Sequence, residues 1–346
     1  MKRILDSVHG YIEIADAYIK NFIDTEYFQR LRRVEQTSTR SLFPSARHDR
    51  FIHSLGVFHL GNKILEHLET DLNQAEIGNK DCIFESYRLA CLLHDIGHSP
   101  FSHTMEEFFN NRWSDLKGIL CALVDDQTFV EDWNNTADRS VEHERMSAIV
   151  TLGVYRNAIH EMGGDPVLVA RMIIGLYYRD CVNHSFENAM IDLIHGDVID
   201  ADGLDYVCRD TWASGYSTTT VDVKRLIDSI KIVKDPNNNN YYRLCFTTKC
   251  LNEIESVLKV KTFQQFYVIH HHTVTYEQRL LVKAMESAAC YHIFGETDVI
   301  DERRRTEALQ KLCQIKSFYD PNGENWIETN DTKIKIQLPM DDDFVH

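Results

Sequence analysis

The chain has no apolar run near the roughly 20 residues of a membrane-spanning helix, which argues against a membrane protein. Nine cysteines are scattered without a CxxC pair, a pattern of reduced thiols rather than of a disulfide scaffold. The opening MKRILDSVHG lacks the apolar stretch of a secretory leader. Together these features predict a cytoplasmic protein. Cations are the scarcer charge, with 37 Lys+Arg against 53 Asp+Glu and a net charge of −16. Duplex DNA is held mainly through Lys and Arg, so a duplex-binding surface is disfavoured. A local basic pocket for a small anion remains compatible. Internal repeats and long linkers are also missing. What is present, 43% hydrophobic and 26% charged residues over 346 positions, is the balance of a soluble globular chain.

Most of that chain reads as helix. Over 57–68, apolar residues at 57, 60, 64, 65 and 68 follow the 3.6 period of one buried face. Residues 82–93 form an apolar core helix. Asp165-Pro166 reads as an N-cap with proline at the first helical position, opening a helix over 167–178. Shorter helices are predicted at 187–194 and 223–230. Asp235-Pro236 and the asparagines 237–240 mark a break, and 241–246 beyond it reads as a short strand. Helices over 251–267 and 273–291 follow, then a mixed tail with an acidic run at 341–343. The aromatic stretch 263–267 reads as core. The fold expected is mostly α, with a core over 1–235 and a helical extension over 236–346 packed on it.

Histidine placement carries the chemistry. Of 17 histidines, the densest group is His94-Asp95-Ile96-Gly97-His98, followed by Pro100 and His103, directly after the apolar run 89–93. An adjacent His-Asp pair at the end of a buried helix sets an imidazole nitrogen beside a carboxylate oxygen, a donor set suited to a hard or borderline divalent cation. An isolated HD dipeptide is commonplace on solvated surfaces, so context decides. His53 precedes an amphipathic helix. Further on, Asp202, Tyr206 and Asp210 are spaced i, i+4, i+8, within about 80° of one another on a helix. His53, His94, Asp95 and Asp202 thus form an ordered set of four candidate ligands.

That order is similar to the H…HD…D pattern of the HD-domain phosphohydrolases, and the flanking words sharpen the likeness. Ile4-Leu5-Asp6-Ser7-Val8-His9-Gly10-Tyr11-Ile12 resembles the opening word of the HD-domain deoxynucleoside triphosphate triphosphohydrolases, the dNTPase/dGTPase family. Asp24-Thr25-Glu26-Tyr27-Phe28-Gln29-Arg30-Leu31-Arg32 resembles their second word. Residues 43–57 resemble their F-P-x-A-x-H-x-R-F-x-H-S-L-G-V, and 94–103 match H-D-[IL]-G-H-x-P-F-S-H. The likeness covers about residues 1–215 and fades beyond.

The resemblance implies a mostly α HD-domain fold and a divalent metal (Mn, Mg, Fe, Zn or Ni) held by His53, His94, Asp95 and Asp202. It implies His98, His103, Glu106 and His143 around the scissile phosphate. Arg50 is expected on phosphate, Gln36 on the sugar, and Tyr206 and Asp210 on the nucleoside. The implied reaction is attack of water at the α-phosphate of a dNTP, releasing deoxynucleoside and triphosphate, in a homo-oligomer. Two departures stand out. Gly203 follows Asp202 where the family usually has Lys or Arg, and Gln36-Thr37-Ser38-Thr39 lacks the usual glycines. His9 reads as a hydrogen-bonding residue of the turn with Gly10. The triplet 270–272 reads equally as a helix surface or as a nucleotide-side word, and 303–305 as a solvated arginine face. Two other readings compete: an HD phosphodiesterase or nuclease acting on an oligonucleotide or signalling nucleotide, with single-stranded nucleic acid as partner, and a non-catalytic nucleotide sensor. The sensor reading expects a damaged ligand set, whereas all four candidates are present.

Overall fold

In a computed structural model, residues 1–37, 42–72, 77–104, 113–216, 221–235, 238–296 and 301–312 are described. The architecture is mostly α, with two small antiparallel hairpins. The first hairpin pairs Lys2–Asp6 with Gly10–Ile14 and has no counterpart among the expected elements. Its turn is closed by Asp6, whose carboxylate accepts from the amides of Val8 and His9. The second pairs Ile230–Asp235 with Asn238–Phe246, in the place of the expected strand.

Three helices frame the centre. Arg50–Asp71 starts at Asp49, whose side chain accepts from the Ile52 amide and so satisfies one of the unpaired first-turn donors. Lys80–Leu93 packs along it, with Leu89, Ala90, Cys91, Leu92 and Leu93 all buried. Ala201–Ser214 crosses the same helix. Gly56 makes that crossing close: a Cβ there would stand 1.9 Å from Asp205 Oδ1 and 2.5 Å from Arg209 Nη2.

Asp165 caps Pro166–Ile174 as its sequence predicts, but the helix stops before 178. Gly175, at φ 65°, closes it in the left-handed conformation that glycine adopts without strain. The helix expected at 187–194 runs instead over Ser185–Asp192. The 263–267 stretch is corrected too, since Phe266 and Tyr267 are 68% and 54% exposed. Gln265–Ile269 is a π-helical turn, and Phe266 and Tyr267 lie off the buried stripe of Val257, Val260, Gln264 and Val268. The helix His272–Phe294 follows, opened by His271 of the histidine triplet, whose Nδ1 accepts from the Thr273 amide. Arg304 of the arginine run lies over Phe294 and is otherwise exposed. The cysteines described are free thiols, and no described helix is long and apolar enough to cross a membrane. The 341–343 run lies outside the described residues.

Candidate metal centre and cavity

The three framing helices bring the candidate ligands to one point. His53 sits on the first turn of Arg50–Asp71, His94 and Asp95 leave the end of Lys80–Leu93, and Asp202 opens Ala201–Ser214. His53 Nε2 lies 3.3 Å from His94 Nε2, 3.0 Å from Asp202 Oδ1 and 3.5 Å from Asp95 Oδ2. His94 Nε2 lies 3.7 Å from Asp202 Oδ1 and 3.6 Å from Asp95 Oδ2. Donors about 2.0–2.2 Å from a common ion stand about 3–4 Å from one another, so these spacings fit one divalent cation.

Tautomers fit as well. Asp205, a carboxylate that can only accept, faces His53 Nδ1 at 2.7 Å, and the Cys91 carbonyl faces His94 Nδ1 at 3.1 Å. Each ring therefore turns the Nε2 lone pair toward the shared point. Burial pulls the His53 pKa down, but hydrogen bonds to Asp202 and Asp205, and their charge, outweigh it and hold it up at about 10. Positive charge is thus strongly favoured at this point, as a proton or a metal. Burial would raise the Asp95 pKa, yet the Arg50 guanidinium, 2.6 Å away, and the neighbouring histidines hold the carboxyl well below its usual range.

The residue that sequence reading missed is Asp205, which is fully buried. Besides His53, it accepts from His9 Nε2 at 2.6 Å and from Arg209 Nε and Nη2 at 2.8 and 2.9 Å. Arg209 is shared with Asp6 at 2.8 Å. His9 keeps its expected place in the turn with Gly10, but its ring also reaches into this network. Ligating histidines usually donate their other N–H to such a carboxylate, and that rule is the signal that points to a partner for His53.

A second histidine group stands beside the first. His98 and His143 stack with centroids 4.1 Å apart and planes at 19°, and His103 meets both edge-on. Their nitrogens are close enough to hold an ion. The stacking opposes it, because an imidazole ligates along its own plane and two nearly parallel rings cannot both aim at one ion. The arrangement suits hydrogen bonding to an anion instead. His98 is fully buried with both ring nitrogens unpartnered. Burial and the nearby charge of Arg50 and His143 hold its pKa well below the usual imidazole value. The turn carrying it is braced by Arg30, which donates to the carbonyls of Ile96 and His98. Between His98 and His103, Phe101 and Ser102 have φ of 56° and 49°, strained for residues with a Cβ.

A cavity of about 320 Å³ is lined by members of both groups, with His53, His94 and His98 buried behind its wall. Gln36, Arg50, His103, His143, Tyr206 and Asp210 line it, as do Asp95 and Asp202. Arg50 is more tied down than its expected phosphate role assumes: it donates to Asp95, Ser102 Oγ and the Gln36 carbonyl. Gln36 lines the cavity, and its Oε1 is buried with no donor. Asp210 is held by His48 at 2.7 Å. Glu106 and the 38–39 part of the departing segment lie outside the described residues. Several lining residues were not expected. Glu144 lines the cavity, and burial, with the charges of Asp202 and Asp95, pushes its pKa up to about 8 against the pull of His143 and the Val141 amide. Gln265, Ile269 and Gln278 line it from the 236–346 part of the chain.

Residues 50–145 match the HD domain family. The chain is 31% identical over 281 residues to the Dictyostelium discoideum homolog of deoxynucleoside triphosphate triphosphohydrolase SAMHD1, covering 80% of this chain and 46% of that protein. It is 27% identical over 293 residues to the Gallus gallus SAMHD1, covering 84% and 46%. With Bacillus subtilis YwfO it shares 28% over 293 residues, covering 84% and 56%. The chain thus spans about half the length of these relatives. A crystal structure of a hypothetical protein from Aquifex aeolicus has the same fold, with a TM-score of 0.59 at 24% identity over 90% of this chain and 70% of that one. With its four-donor centre, its histidine words and these relatives, the chain belongs to the HD-domain family, alongside the SAMHD1-like proteins.

Proposed function

We propose that the protein is a metal-dependent hydrolase that cleaves deoxynucleoside triphosphates to deoxynucleoside and inorganic triphosphate. The observation that carries this reading is the convergence of His53, His94, Asp95 and Asp202 on one point beside the group of His98, His103 and His143, with members of both lining one cavity. The relatives named for triphosphohydrolase activity support the substrate class. His53, His94, Asp95 and Asp202 would hold a divalent ion, which would offset phosphoryl charge and favour deprotonation of water. A water oxygen forms a bond to the α-phosphorus as its proton leaves to solvent, and the bond from phosphorus to the 5′ oxygen breaks. His103, at the cavity wall, donates the proton that the departing 5′ oxygen needs. His143, at the cavity wall, hydrogen-bonds the phosphoryl oxygens, and neutral, buried His98 stacks behind it. The sugar hydroxyl donates to Gln36 Oε1, and Tyr206 and Asp210 bound the nucleoside.

In this reading the core over 1–235 carries the chemistry, and the extension over 236–346 closes the cavity with Gln265, Ile269 and Gln278. Exposed Phe266, Tyr267, Tyr276 and Leu280 on that extension support a homo-oligomer. The test is purified protein with Mn²⁺ or Mg²⁺ against each dNTP, singly and mixed, with products resolved by chromatography. Deoxynucleoside and intact triphosphate, lost in Asp95→Ala, are expected. No turnover of any dNTP by metal-loaded protein would move the assignment to the HD phosphodiesterase reading.

A further inference from the structure

The segment 42–49 is tied to Ala201–Ser214 by two side chains. Ser45 Oγ donates to the Ala213 carbonyl at 2.7 Å, and His48 Nε2 stands 2.7 Å from Asp210 Oδ1. Both side chains of the second pair are buried. An ionised carboxylate accepts and does not donate, so Nε2 carries the proton of this contact. Nδ1 is buried without a partner, which leaves Nε2 as the working end of the ring. The backbone of His48 makes a second contact: its carbonyl accepts from the Gln36 amide at 3.1 Å, beside the Glu35–Asp49 bridge.

Gln36 and Asp210 both line the cavity, and His48 holds them from behind. Asp210 sits on the stripe of Ala201–Ser214 that carries Asp202 and Tyr206. His48 therefore ties the segment bearing Gln36 to the helix bearing a metal ligand. The sugar of a 2′-deoxynucleoside 5′-triphosphate has one free hydroxyl, at the 3′ carbon. Gln36 Oε1 has no donor, and Asp210 keeps a second carboxylate oxygen besides the one that His48 occupies. A hydroxyl entering between two such acceptors shares its proton with both.

We propose that His48 is a positioning residue for the sugar end of the site, holding Asp210 through its ring and Gln36 through its carbonyl so that the two receive the 3′-hydroxyl of a deoxynucleotide. The assignment deepens the hydrolase reading and rests on it for the substrate class. Metal-loaded wild type and variants are compared in the KM of the dNTP turned over fastest and in the inhibition constant of its 2′,3′-dideoxy counterpart, which lacks that hydroxyl. In wild type the inhibition constant is expected about tenfold above KM. In His48→Ala, KM rises about tenfold while the inhibition constant stays within about twofold, so the preference disappears. His48→Asn, whose amide ends short of the Nε2 position, loses it too and serves where the alanine variant fails to fold. His48→Gln carries an N–H donor out to that position and keeps the preference. Ser45→Ala removes the other tie of the same segment and keeps it as well. A rise common to KM and the inhibition constant is what a merely loosened segment gives, and it would overturn the assignment. So would a preference kept in folded His48→Ala, lost in Ser45→Ala or absent from wild type. If wild type turns over no dNTP, the hydrolase reading fails, and calorimetric titration with each dNTP and its dideoxy counterpart decides. A preference for the 3′-hydroxyl that His48→Asn loses and His48→Gln keeps then sustains the assignment, and any other pattern, no binding included, overturns it.

Discussion

Replacing Asp205 by asparagine removes the carboxylate that organises the metal centre from behind. Four hydrogen bonds reach it in a fully buried place: His53 Nδ1 at 2.7 Å, His9 Nε2 at 2.6 Å, and Arg209 Nε and Nη2 at 2.8 and 2.9 Å. Asparagine keeps one accepting oxygen and turns two donors toward groups that are themselves donors. Breaking a buried ion pair by removing one partner costs about 3–5 kcal/mol. The loss here falls near 3 kcal/mol of that range, because Arg209 keeps Asp6 at 2.8 and 3.2 Å. The centre loses more specifically. Without an acceptor at Nδ1, His53 is no longer held in the tautomer that points Nε2 at the ion, and removal of such partners typically costs about 10–100-fold in metal affinity. Urea unfolding of the metal-free protein measures the first effect, and Mn²⁺ titration followed by the spin resonance of the free ion measures the second. His9→Ala is the control: it leaves His53 on Asp205 and is expected to lose less than tenfold in affinity. Asp205→Asn that unfolds with wild type and binds Mn²⁺ within twofold of it would refute the reasoning.

Other perturbations separate the parts of the site. His103→Ala is expected to lower kcat about 10²–10⁴-fold while Mn²⁺ affinity stays within about threefold of wild type, because only the proton donor is lost. Equal losses in both would place His103 in the metal set. Gly56→Ala forces a methyl into the Asp205 carboxylate, where a Cβ would stand 1.9 Å from Oδ1. A melting temperature lowered by several degrees and weakened Mn²⁺ binding are expected together, and unchanged melting would show the two helices able to part freely. Glu144 gives a signature in pH. Its folded pKa, pushed by burial to about 8 from the ordinary 4.5, means the native state keeps a proton that the unfolded chain has lost. Wild type therefore loses stability relative to Glu144→Gln as pH rises from about 5 to about 8, with no further change above. Urea unfolding of both metal-free proteins across that window measures it, and a constant difference would refute the shift.

What could be read from the sequence and what could not divide along a physical line. His94-Asp95 was legible because the pair follows directly on a continuous apolar run, and Asp165-Pro166 because capping is chemistry between neighbours. The end of that capped helix was not, since Gly175 closes it four residues before the expected stop. Phe266 and Tyr267 looked like core because they are large and aromatic, but the buried stripe of Val257, Val260, Gln264 and Val268 leaves them on the outer side. Asp205 is a plain acidic residue on a helix until its contact with His53, 152 positions away, is known. Gly203 shows the division most sharply. In sequence it reads as a lost side chain at a site where charge matters. In space the missing Cβ is the room in which the Lys261 ammonium stands, 2.7 Å from where that atom would be. A glycine beside a metal-ligand position therefore cannot be scored as a deletion from its own residue type. The deciding question is which atom of another element would collide with a Cβ built there. Restoring a basic residue at 203 is then a collision rather than a repair: Gly203→Lys is expected to displace Lys261 and the Asp200 cap and to leave triphosphate hydrolysis no faster than wild type. A faster Gly203→Lys would show that the position was short of a cation after all.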